Sequence, residues 1–290
     1  MELHLLQYFL AVVREENISR AAEVLHVTQP TLSRQMSQLE EELGVQLFIR
    51  GRHLALTDAG VMLRRRAEEV VALMDKIESE FEEKEDVGGI ISIGTGGLAA
   101  SRVLPAVMDS FRQKYPKVQF RFHTNSAEYI KGQMDQGLLD FGLLLEPIDV
   151  TKYDYIRMSE KERWGLLLQA DHPLSKKECI TSKDILGIPI ITTDRLPVQK
   201  ELEQWLGGSL SELNILATYN VITNAAMLVS SGVASAITIE GAVDLLSSDQ
   251  VVFRPLYPEL AMTSVLAWKK FQPNFSTAGK FLEHFRSMQN

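Results

Sequence analysis

Gln29, Thr31, Ser33 and Arg34 open a short helical pattern and put amide, hydroxyl and guanidinium groups on its polar side. Presented from the first turn of a helix, such groups hydrogen-bond base edges and phosphate oxygens at the mouth of a DNA major groove. Gln29 and Ser33 suit base edges, and Arg34 suits phosphate. Pro30 is tolerated among them because first-turn amides have no helical partner. A solvated polar face has the same composition, so the elements that hold these residues decide between the two readings.

Those elements are legible in NISRAAEVLHVTQPTLSRQMSQLEEEL, residues 17–43. Asn17 is placed to cap the free amides of Ile18 to Arg20. Ala21 and Ala22 give a small face that a second helix can approach closely. Leu25 and Val27 bracket a tight turn, Thr28 is placed to cap the second helix, and Leu32, Met36 and Leu39 form its buried stripe. LFIRGRHLALTDAG, residues 47–60, then reads as strand, basic tip, strand. Leu47, Phe48, Leu54 and Leu56 face inward there, while Arg50, Arg52 and His53 crowd the tip. A basic wing beside a helix–turn–helix sets cations against phosphates or in a minor groove. The expected DNA-contacting set is therefore Gln29, Pro30, Thr31, Ser33, Arg34, Arg50, Arg52 and His53.

AAEVLHVTQPTLSRQMSQLEEELGVQLFIR followed by LTDAG resembles the amino-terminal signature of LysR-type transcriptional regulators in order and spacing. DHPLS at residues 171–175 and LVSSGVASAI at residues 228–237 are similar to the effector domain of that family, so the resemblance covers nearly the whole chain. The wing between Arg50 and Leu56 is one residue shorter than the usual form.

The net charge of −8 is unexpected for a DNA binder until it is partitioned. Residues 1–66 hold eight arginines and eight acids, a neutral balance. The cations gather at the helix mouth, the wing and Arg64 to Arg66, whereas Glu40 to Glu42 sit at the far end of the second helix. Local placement, not net charge, sets the field at a docking face. The single cysteine, Cys179, excludes an intrachain disulfide, reads as a small packing residue and fits a reducing cytoplasm. The first thirteen residues are broken by Glu2, His4 and Gln7 and read as an amphipathic helix rather than a leader. No run is long enough to span a membrane, and a cytoplasmic location with no membrane partner is expected.

Thr57 can cap the next helix, along which Leu63, Ala67, Val70, Met74, Ile77 and Phe81 recur at alternating spacings of four and three. That is the seam of a coiled coil, flanked by charge, and it argues for a dimer and a two-fold, interrupted palindromic operator in double-stranded DNA. The alternative is packing of the stripe on the chain's own globular part. Val87, Gly88 and Gly89 read as a hinge. The expected division is residues 1–58 as a winged helix–turn–helix, 59–89 as dimerisation helix and hinge, and 90–290 as effector domain.

From Ile90 strand-like runs (IISIG, VQFRFHT, DFGLLLE, RWGLLLQ, IPIIT, ILATYNV, ASAITIE, MTSVLAW) alternate with helical ones, which implies parallel sheets covered by helices. The fold class expected is α/β, with an all-α-rich N-terminal winged helix–turn–helix. The resemblance implies a C-terminal bilobed, periplasmic-binding-protein-like effector domain. Lobe I would be about 90–161 plus 268–290 and lobe II about 162–267, with crossovers near Glu162 and Trp268. Ligands in such folds bind at the carboxyl ends of strands, in the crevice. Thr95, Gly97, Ser101, Asn125, Ser126, Thr192, Thr193 and Thr223 are delivered there, and Thr124 leaves the second strand beside them. Each taken singly reads best as a helix cap, and their convergence favours a site for a small polar or anionic metabolite. Arg195 is either a partner for an acid group or a surface charge.

An enzyme that uses the bilobed fold with an appended DNA-binding regulator is the alternative. The sequence has no G-x-x-x-x-G-K-[ST] phosphate loop and no G-x-S-x-G elbow, and His4, His26, His53, His123, His172 and His284 show no metal-ligand spacing. No catalytic residue, metal or cofactor is expected. A solute-binding protein fits neither the amino-terminal third nor the first thirteen residues. The resemblance further implies a tetramer through effector-domain contacts and allows RNA polymerase as a partner.

Overall fold

The computed structural model describes residues 1–49, 54–81, 87–149, 151–244, 246, 249–270 and 276–289. The chain divides into two compact units, Met1–Glu83 and Lys84–Asn290.

The first unit packs α1 (Leu3–Glu15), α2 (Ile18–Val24) and α3 (Gln29–Leu43) around Leu5, Phe9, Val12, Ala21, Leu32, Met36 and Leu39. Strands β1 (Phe48–Ile49) and β2 (Ala55–Leu56) pair antiparallel, with Phe48 opposite Leu56. The wing is tied to the helices at both ends. The Glu40 carboxylate accepts the Leu47 and Phe48 amides at 2.8 and 3.2 Å. Thr57 caps α4 (Asp58–Phe81) through the Gly60 amide at 3.0 Å. Gly60 itself has no room for a side chain, since a Cβ there would lie 2.3 Å from the Leu47 carbonyl oxygen.

The α4 stripe divides along its length. Ala67 is fully buried and Leu63 and Val71 pack against the same core, whereas Val70, Leu73, Met74 and Ile77 are exposed. The first part thus packs on its own unit and the second leaves an apolar stripe open; the Phe81 side chain lies outside the described residues. Two of the three residues expected as a hinge, residues 87–89, lie in a strand. Gly88 and Gly89 open β3 (Gly88–Thr95), pairing with Lys117 and Val118, and the Thr277 hydroxyl donates to the Gly88 carbonyl at 2.7 Å. Gly89 takes φ 102°, a conformation that glycine permits.

The second unit follows with α5 (Leu104–Lys114), β4 (Lys117–Thr124), α6 (Ala127–Asp135), β5 (Phe141–Leu145), β6 (Tyr153–Gln169), β7 (Pro189–Thr193), α7 (Leu196–Leu206), β8 (Asn214–Tyr219), α8 (Ile222–Ser230), β9 (Ser235–Ile239), α9 (Glu240–Val243), β10 (Val251–Pro255), β11 (Ala261–Lys269) and α10 (Thr277–Gln289). Its strands run in the order β4-β3-β5-β11-β6-β9-β7-β8, with β10 also on β6. β3, β4 and β5 are parallel to one another, as are β7, β8 and β9. The joining strands β6, β10 and β11 are antiparallel, so each sheet is mixed rather than purely parallel.

β6 is longer than the RWGLLLQ segment read from the sequence. Its first part pairs with β11 up to Arg163, and from Trp164 it pairs with β9. The crossover expected near Glu162 coincides with that exchange of partners. The second crossover expected near Trp268 does not, because all of β11 from Ala261 already pairs in the first sheet. MTSVLAW reads as one hydrophobic run in either sheet, and only pairing reveals which. α10 returns to the first sheet and packs Phe281 edge-on to Phe111 and Phe120.

Candidate DNA-reading surface and inter-lobe cleft

Asn17 accepts the amides of Ser19 and Arg20 at 2.9 and 3.0 Å and so starts α2. Ala21 and Ala22 are buried, which lets α3 approach. His26 sits in the turn with φ 55°, and the Val27 amide reaches back to the Ala22 carbonyl at 3.0 Å. Thr28 caps α3 by accepting the Thr31 amide at 3.4 Å, and the two hydroxyls lie 2.8 Å apart. Thr31 is thereby engaged in the cap. Gln29, Pro30, Thr31 and Arg34 are exposed on the same turn, while Ser33 is half-buried. Arg50, Arg52 and His53 lie outside the described residues. The Arg64 to Arg66 cluster is partly spent within α4, where Arg64 pairs with Glu68 at 3.0 Å and Arg66 with Glu69 at 2.8 Å.

In the second unit the carboxyl ends of β3, β4, β5, β7, β8 and β9 surround a cavity of about 90 Å³. Its walls include Gly97, Asn125, Ser126 and Thr193 from the expected set. Each polar one of these also serves its own loop. Asn125 accepts the Ser126 amide at 2.8 Å, Ser126 caps α6 through the Tyr129 amide at 3.4 Å, and Thr193 accepts the Arg195 amide at 3.3 Å.

The other four expected residues are not on this cavity. Thr95 and Ser101, their hydroxyls 3.4 Å apart, line a separate, wider opening of about 470 Å³ with Thr124, Phe122 and Arg112. Thr192 is buried with no partner for its hydroxyl; adjacent strand residues point to opposite faces, so only Thr193 of the pair reaches the cavity. Thr223 is exposed on α8, and Asn220, Val221 and Ile222 take its place.

Sequence reasoning missed Trp164, Tyr219 and Thr238 and left Arg195 undecided. The Tyr219 hydroxyl donates to the Ile237 carbonyl at 2.9 Å, and burial holds its proton on well above the usual range. Arg195 bridges the lobes, donating from its two terminal nitrogens to the Leu145 and Pro147 carbonyls at 3.2 Å each. Burial lowers its pKa, partly offset by Glu128. A tighter joint lies behind the cavity. The fully buried Glu162 carboxylate accepts the Ala99 and Ala100 amides at 2.9 and 3.0 Å and the Ser264 hydroxyl at 3.1 Å. Burial nevertheless pushes its pKa up, against those hydrogen bonds. Gly241 of α9 closes on the same turn, where a Cβ would lie 1.9 Å from the Ala99 nitrogen.

Residues 3–61 match the family described as "Bacterial regulatory helix-turn-helix protein, lysR family", and residues 84–290 match "LysR substrate binding domain". The chain belongs to the LysR family of transcriptional regulators. It is 30% identical to the Hca operon transcriptional activator HcaR of Escherichia coli (strain K12), covering 93% of this chain and 92% of that one. It is also 30% identical to the HTH-type transcriptional regulator AlsR of Bacillus subtilis (strain 168), over 100% of this chain and 96% of that one. Among solved structures, the LysR family regulator CbnR shares the fold with a TM-score of 0.75 at 23% identity, covering both chains entirely.

With the family, the winged helix–turn–helix and the bilobed effector domain are established, and so is an effector-modulated, DNA-binding regulator. The enzyme alternative falls with it. Among the described residues no helix is long and apolar enough to cross a membrane, and no cluster of His, Cys, Asp or Glu is arranged to hold a metal.

Proposed function

We propose that the exposed first turn of α3 reads the operator and that the cleft lined by Gly97, Asn125, Ser126 and Thr193 receives the effector, a small polar or anionic metabolite. The observation that carries the DNA half is the joint exposure of Gln29, Pro30, Thr31 and Arg34 on one capped turn whose opposite side is fully buried. Gln29 addresses a base edge and Arg34 a phosphate, with Ser33 and the wing residues Arg50, Arg52 and His53 completing the contact. Thr31 contributes through the cap more than through a base.

The open stripe of Val70, Met74 and Ile77 on α4 pairs two chains, with Leu63 and Ala67 holding the helix to its own unit and Phe81 extending the seam. Pairing places two α3 helices on a two-fold, interrupted operator. We assign residues 1–58 to DNA binding, the helix from residue 59 to dimerisation and connection, and the unit that contains β3, from Lys84 on, to effector sensing. The protein acts in the cytoplasm, as a dimer that associates further into a tetramer, with RNA polymerase as a further partner. Thr95, Ser101, Thr192 and Thr223 lie off this cavity and outside the ligand contact.

Arg34→Ala tests the surface. It should weaken binding to all DNA sequences alike and lower the salt dependence by about one counterion, read by fluorescence anisotropy across a salt series. Unchanged affinity and an unchanged salt slope would remove Arg34 from the interface.

A further inference from the structure

Three buried side-chain polar atoms among the described residues have no hydrogen-bond partner: Trp164 Nε1, Thr192 Oγ1 and Arg195 Nε. Two of the three belong to residues that line the inter-lobe cavity, and both are N–H donors. Buried donors without an acceptor are costly, and their coincidence in one cavity marks a place for an acceptor. Glu128 forms an ion pair with Arg195 Nε through its Oε1 at 3.6 Å, but that distance is beyond hydrogen-bond reach and the Glu128 side chain is 55% exposed, so the N–H still lacks a close acceptor.

The rest of the lining restricts what the acceptor belongs to. Arg195 is the one charged side chain among the described lining residues, and Ile130, Leu143, Val198, Ile222 and Ile239 form apolar wall around it. A second negative charge on the ligand would be left unpaired against that wall, and a cation would meet Arg195. About 90 Å³ is the space of roughly three waters at ~30 Å³ each, which restricts the ligand to a small molecule.

Resting on the cleft reading above, we infer that the effector is a small monocarboxylate with an apolar body, its carboxylate accepting from Arg195 Nε and Trp164 Nε1. Arg195 holds the carbonyls of Leu145 and Pro147 with its other nitrogens, so the ligand completes the coordination of a side chain that already spans both lobes. Ligand binding and lobe closure are thereby coupled through one guanidinium.

The test titrates the full-length protein by calorimetry with matched acids and amides (butyrate and butyramide, hexanoate and hexanamide, benzoate and benzamide). Hydrogen exchange at residues 96–98 and 220–222 locates the binding. At least one acid should bind the cleft at least tenfold more tightly than its amide. Arg195→Gln should abolish that preference, Trp164→Phe should weaken the acid several-fold, and Glu128→Gln, which removes the competing anion, should tighten it. If Arg195→Gln fails to fold, Arg195→Lys replaces it and should lose the acid preference in part.

Equal affinity for acid and amide, acid affinity indifferent to Arg195 and Trp164, or no acid bound at all overturns the inference. Protection of the cleft by inorganic phosphate or glucose in place of the acids overturns the carboxylate class and leaves the cleft reading standing. Protection by none of these probes contradicts both.

Discussion

In the amino-terminal unit the proposed base-reading side chains ride on one turn of one helix and stand exposed. In the carboxyl-terminal unit the proposed ligand contacts are buried or half-buried and come from separate segments: Trp164 from β6, Thr193 from the end of β7, Arg195 from the turn into α7. The first arrangement needs only a correct helix and a firm cap. The second needs two sheets registered against each other, because Arg195 finds its carbonyl partners fifty residues away in the other lobe. A surface site of the first kind tolerates change around it; a cleft of the second kind depends on distant packing.

The largest expected effect falls on assembly, which the surface mode requires to place two reading helices. Val70→Asp with Met74→Asp puts charge on the open stripe of α4 and should cost the dimer about 4 kcal/mol or more. Both positions are exposed in the single chain, so monomer unfolding should change little. Sedimentation equilibrium checks it; an intact dimer would mean that the stripe is not the interface.

Gly241→Ala probes the dependence of the cleft on packing behind it. With 1.9 Å between a new Cβ and the Ala99 nitrogen, the backbone must move, at a cost of roughly 1–3 kcal/mol. Urea unfolding should show that loss in the carboxyl-terminal unit, accompanied by faster hydrogen exchange at Ala99 and Ala100. A variant as stable as the parent would show that the lobes yield there at no cost.

Glu162 gives a pH signature that the exposed surface lacks. Burial raises its folded pKa above the unfolded value near 4.5, so its protonated form is favoured in the fold. The associated stability is therefore full below about pH 4.5 and is lost as pH rises through the folded pKa. Wild type should lose stability relative to Glu162→Gln over that interval by about 1.4 kcal/mol per unit of elevation. Parallel stability curves for the two proteins would place the Glu162 pKa in the ordinary range.

Legibility in the sequence follows the same contrast. α2, α3 and the wing were readable because their signals are local: Asn17 and Thr28 as caps, Ala21 and Ala22 as the close face, and the Leu32, Met36, Leu39 stripe. Along α4 the heptad spacing was visible, but not that its first part is consumed by its own unit, since Ala67 fits a seam and a core equally well. In the cleft, hydroxyls near strand ends were the only local clue. Thr192 and Thr193 were indistinguishable until strand direction fixed which one faces inward. Trp164 lies in the strand-like run RWGLLLQ, which carries no ligand signal, and Arg195 stays undecided in the sequence because its partners, Leu145 and Pro147, are backbone carbonyls that no side-chain pattern announces.

The most direct measurement of the central claim is selection of bound sites from randomised DNA by wild type and Gln29→Ala. Wild type should enrich an interrupted, two-fold related site. Gln29→Ala should enrich the same site with base preference relaxed at one symmetric position in each half, worth about 1–3 kcal/mol there. Identical preferences in both proteins, or a wild-type site without two-fold symmetry, would contradict the assignment of α3 as a paired reading helix.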